Sequence, residues 1–177
     1  KDDAWQIQYG GPALSRMAGA QRALTAVFTD TTLTSGANFG FGYWNGKTGF
    51  SGYYGGWQGN HPNGRSRICD IDSCLQVGIS PEGAARAIPF LQSLDRHDRT
   101  DAKAWATIAH DYFFDTVSPI DPNSDCQLNY VIVIGDGMMR NTAQAGVLVD
   151  RLRSTLKVKT LMVAYGNGIK PEGMALF

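Results

Sequence analysis

Hydrophobic and polar residues change rhythm along this chain, and the changes mark out its elements. Leu14, Met17, Leu24, Val27 and Phe28 recur at helical spacing, which predicts an amphipathic helix over residues 14–28. Phe39 to Trp44 (FGFGYW) and Phe50 to Tyr54 (FSGYY) read as two strands of a hairpin joined by the turn NGKTG. Residues 55–68, GGWQGNHPNGRSRI, have the composition of a loop. Ser80, Pro81 and Glu82 then supply the N-cap, the first-position proline and the first-turn acid of a helix. Ala84, Ile88, Leu91 and Leu94 form its buried face, and Pro89 should kink or shorten it. A further helix begins at Thr100 and carries Ala102, Trp105, Ile108, Ala109, Tyr112 and Phe113 at helical spacing. After a polar loop over 115–127 comes an unbroken apolar strand, Tyr130 to Ile134, as expected where both faces of a parallel sheet are covered. Val147, Leu148, Leu152 and Leu156 mark the next helix, and Val158 to Tyr165 (VKTLMVAY) a second buried strand followed by GNG.

Strand, helix, strand over residues 130–165 is a βαβ unit, and such crossovers are right-handed and build parallel sheets. Together with the flanking helices it predicts an α/β fold of three layers, Rossmann-like, with a mostly parallel sheet flanked by helices. No repeat or linker interrupts the pattern, so a single domain over residues 1–177 is expected. The closing MALF reads as the start of another helix, and the opening KDDAW lacks a Met; both fit a chain truncated at its ends.

Composition narrows the picture. Apolar residues make up 43% of the 177, enough for a packed core. Sixteen basic residues balance sixteen acidic ones, so there is no electrostatic case for nucleic acid or an anionic membrane. No apolar run reaches the roughly 18–20 residues of a membrane span. Cys69 and Cys74 bracket a short turn where a local disulfide fits an oxidising compartment, which leaves Cys126 over or paired outside the chain; three reduced thiols are the alternative. The cysteine spacing and the scattered His61, His97 and His110 do not form a zinc pattern.

The chemistry gathers at the end of the first buried strand. Open parallel sheets bind ligands at the carboxyl ends of their strands. Asp136 stands there between Gly135 and Gly137, which permit a tight turn. A carboxylate so presented suits a hard divalent cation; otherwise it caps the next helix. Thr100, at a loop-to-helix junction, offers either a second oxygen ligand or the N-cap of its own helix. A second oxygen-rich stretch, DPNSD, spaces Asp121, Asn123 and Asp125 as calcium loops begin, but Cys126 and Ile132 replace the Gly and Glu such loops need, so an Asx turn is favoured.

The layout resembles a von Willebrand factor A domain. YVIVIGDG is similar to that family's strand and TDG loop; Thr100 in DRTDAKAW stands where its metal-binding Thr does; KVKTLMVAYGNG resembles the strand that follows. SRMAGAQRALTAVF and ANFGFGYWNG resemble its first helix and second strand. SPIDPNSDCQLNYVIVIGDG is closest in character to the PilC/PilY-type tip adhesins of type IV pili. The resemblance implies a metal-ion-dependent adhesion site holding Mg²⁺ or Ca²⁺ through Asp136 and Thr100, whose open position takes a carboxylate from a partner protein, a pilus subunit or a host surface receptor. It also implies an extracellular, cell-surface or periplasmic bacterial protein that is not an enzyme. The family's DxSxS loop is absent; either it lies before Lys1 or WQIQYGGPALS is a degenerate form of it. A structural pilus component with a decayed metal site is the first alternative.

NYVIVIGDGMMRNTAQA also resembles the opening of alkaline phosphatases, but no Asp-Ser-Ala nucleophile and no His/Asp cluster for a second metal follows. The chain has no GxSxG, Walker or HExxH motif. The aromatics of residues 39–57 are read as structural.

Overall fold

The structure, a computed structural model, describes residues 16–44, 75–94, 100–124, 126–135, 139–164 and 171–177. The predicted strand Phe50–Tyr54, the Cys69–Cys74 pair, Asp125, Asp136 and the GNG segment lie outside these residues. The described chain falls into two compact units, residues 16–41 with 76–94 and residues 42–44 with 75 and 100–177.

In the first unit, helix α1 (Arg16–Thr29) is followed by the short α2 (Thr31–Thr34), strands β1 (Phe39–Gly42) and β2 (Leu75–Ser80), and helix α3 (Gly83–Ser93). Phe28, Val77, Ala84, Ala87 and Leu91 form its core. Phe28 meets Phe39 and Phe41 edge-on, with ring centroids 5.7 and 6.4 Å apart, a favoured aromatic geometry. Gln21 of α1 donates through Nε2 to the carbonyls of Leu91 and Leu94, both at 2.9 Å, tying α1 to the end of α3; the Leu91 carbonyl also accepts the Leu94 N–H. Gly83 is needed where it stands: a Cβ there would lie 1.7 Å from the Phe39 carbonyl oxygen.

Two expectations change here. The described partner of β1 is β2, antiparallel to it, a strand that the hairpin reading passed over. Ser80 does not cap α3. It is still extended at the end of β2, its hydroxyl is buried without a hydrogen-bond partner among the described residues, and Glu82 occupies the cap position without a side-chain bond. Pro81 and Glu82 make the turn between strand and helix instead. Pro89 leaves α3 helical as far as Ser93.

The second unit runs β3 (Thr100–Asp101), α4 (Ala102–Phe114), β4 (Tyr130–Gly135), β5 (Met139–Arg140), α5 (Thr142–Leu156), β6 (Lys159–Ala164) and α6 (Pro171–Met174). The βαβ unit is present. β4 and β6 are parallel and in register from Tyr130↔Lys159 to Gly135↔Ala164, with α5 as the crossover. Val133 packs with Ala102, Trp105 and Ala106 of α4 and with Ala145 and Val149 of α5, and Val131 adds to the cluster. Trp105 also stacks on Phe177 at 5.7 Å. On another side of α4, Ala104 and Ile108 pack with Trp44 and Leu75, so this helix is buried on more than one face.

The sheets are smaller and less covered than expected. Among the described residues there are three two-stranded sheets, β1–β2, β3–β5 and β4–β6, and within them β4 is paired on one side only. Its apolar run also alternates. Val133 is buried, whereas Tyr130 and Ile132 are 41% and 59% exposed, beside Leu161 and Val163 of β6 at 48% and 47%. Side chains of successive strand residues point to opposite faces, and the described residues pack only one face of this pair. No described helix is long and apolar enough to cross a membrane.

Candidate cation site

Two strand ends meet where the metal site was expected. β3 and β5 pair in parallel, Thr100 opposite Met139 and Asp101 opposite Arg140. Each strand leads into a helix: Asp101 is the N-cap of α4, and Asn141 is the N-cap of α5. The ladder therefore sets two helix N-termini side by side, with the backbone at Thr100 next to a residue three positions beyond Asp136. The structure describes neither the Asp136 residue nor the Thr100 side chain: it places the Thr100 backbone beside Met139 and leaves both candidate ligand atoms undescribed.

The predicted cap is displaced by one residue. Thr100 is extended, and Asp101 caps α4 by accepting the Lys103 N–H at Oδ1, 3.0 Å. Both residue types are good caps; a distant bond favours the aspartate. Nδ2 of Asn141 donates to the same Oδ1 at 3.1 Å. Asn141 has left-handed backbone angles, φ 54° and ψ 34°, which asparagine tolerates better than most residues. It makes no side-chain cap bond to its own helix and ties α5 to the cap of α4 instead.

Asp101 is wholly buried, and its second oxygen, Oδ2, has no hydrogen-bond partner among the described residues. Burial raises the pKa of its carboxyl above the ordinary value, against the opposing effect of the Asn141 side chain, the Lys103 N–H and charge, and the Ala104 N–H. A hard divalent cation prefers oxygen ligands. This orphaned oxygen beside the β3–β5 ladder is the feature of the structure that fits one. No three described His, Cys, Asp or Glu side chains converge into a metal cluster. Asp101 was not singled out from the sequence; the adjacent cap-forming pair Thr100–Asp101 was the one local signal.

The other candidate residues fall elsewhere. Oδ1 of Asp121 accepts the Asn123 N–H at 2.8 Å, and the Asp121 N–H donates to Gln127 Oε1 at 2.7 Å. That is an Asx turn, the preferred reading of DPNSD. Cys126 is an exposed free thiol. Nδ1 of His110 pairs with the neighbouring Asp111 at 2.9 Å, well along α4 from its N-terminus. No protein-family model, curated protein or solved structure matches the chain.

Proposed function

We propose that this chain is a von Willebrand A-type adhesion or assembly domain of a bacterial surface or pilus-associated protein, working through a divalent cation. Asp136 and Thr100 would hold Mg²⁺ or Ca²⁺, and an oxygen donor from a partner protein would complete the coordination. One observation supports the reading: Thr100 pairs in parallel with Met139, three positions after Asp136, and each of these two short strands leads into a helix. The oxygen-only character of the candidate donors favours a hard cation over zinc. The same reading expects a three-layer fold, in which a second layer covers Tyr130, Ile132, Leu161 and Val163. Parallel sheets are ordinarily covered on both faces.

Asp136→Ala tests the proposal. Partner capture from extracts of bacterial surface proteins should depend on added Mg²⁺ or Ca²⁺, should be lost with a chelator, and should be lost in the variant at unchanged thermal stability. Capture by the variant equal to the parent's would remove the cation mechanism. Capture indifferent to chelator in both proteins would favour a structural component whose site has decayed.

A further inference from the structure

We draw no further inference here: the strongest candidate, the exposed apolar face of the β4–β6 pair formed by Tyr130, Ile132, Leu161 and Val163, carries nothing, because nothing among the described residues shows what covers it.

Discussion

Asn141 allows the join between the two helix starts to be weighed, because two substitutions there separate two costs. Its backbone sits at φ 54°, a conformation that glycine adopts freely and alanine resists. Asn141→Gly therefore removes mainly the 3.1 Å bond to the buried Asp101 carboxyl. A hydrogen bond to a charged group is worth about 1.5–3 kcal/mol, and the freer unfolded chain of a glycine variant adds about 0.4–1 kcal/mol to the loss. The expected destabilisation is about 2–4 kcal/mol. Asn141→Ala loses the same bond and adds about 1–2 kcal/mol of left-handed strain, so it should fall below the glycine variant by up to about 1 kcal/mol. Urea unfolding with chelator present reads both from the shift in midpoint at constant slope. Against a typical domain stability of about 5–15 kcal/mol, these losses are easily resolved. A cycle with Asp101→Ser, whose short side chain cannot replace the carboxylate, should show a coupling of about 1 kcal/mol or more. A glycine variant within about 0.5 kcal/mol of the parent, or a cycle that sums without coupling, would refute the join.

Three further outcomes follow from the packing and the charge. Leu152 of α5 is wholly buried, so Leu152→Ala should cost about 2–5 kcal/mol in the same urea assay. Ile132→Ser tests the proposed second layer: a covered outer face predicts a loss of about 2 kcal/mol or more, whereas a change under about 0.5 kcal/mol would leave that face to solvent and refute three layers. In cation-free protein the Asp101 carboxyl is raised by burial, so its contribution to stability is fully present below the unfolded value of about 3.9 and is lost as pH rises through the folded one. Asp101→Asn cannot ionise and should therefore gain on the parent as pH goes from 4 to 7; the opposite trend in urea midpoints would mean that the folded carboxylate is ionised and paired.

The βαβ unit was legible because each of its parts carries its own signal. YVIVI and VKTLMVAY are apolar runs of strand length, and Val147, Leu148, Leu152 and Leu156 mark a helix between them, although its buried residues prove to be Ala145, Val149 and Leu152 and Val147 is exposed. Their covering was less legible. An unbroken apolar run is the same string whether both faces are packed or one, so the exposure of Ile132 beside a buried Val133 could not be read from it. β2 was missed because LQVGIS follows a polar, cysteine-bracketed stretch and runs straight into Ser-Pro-Glu, a strong helix-start signal that drew Ser80 into the wrong element. At the start of α4 the sequence marked the right junction, and the cap falls on Asp101, one residue after Thr100. Thr100 and Asp101 are both capping types, and the bond that singles out Asp101 comes from Asn141, forty positions away. No local pattern encodes a partner at that distance.

The most direct test of the central claim is calorimetric titration of Mg²⁺ and Ca²⁺ into the parent chain and into Asp136→Ala. The account predicts one saturable oxygen-ligand site in the parent, absent from the variant, with parental thermal stability of the variant in chelator. No heat of binding to the parent, or an equal affinity in the variant, would contradict it.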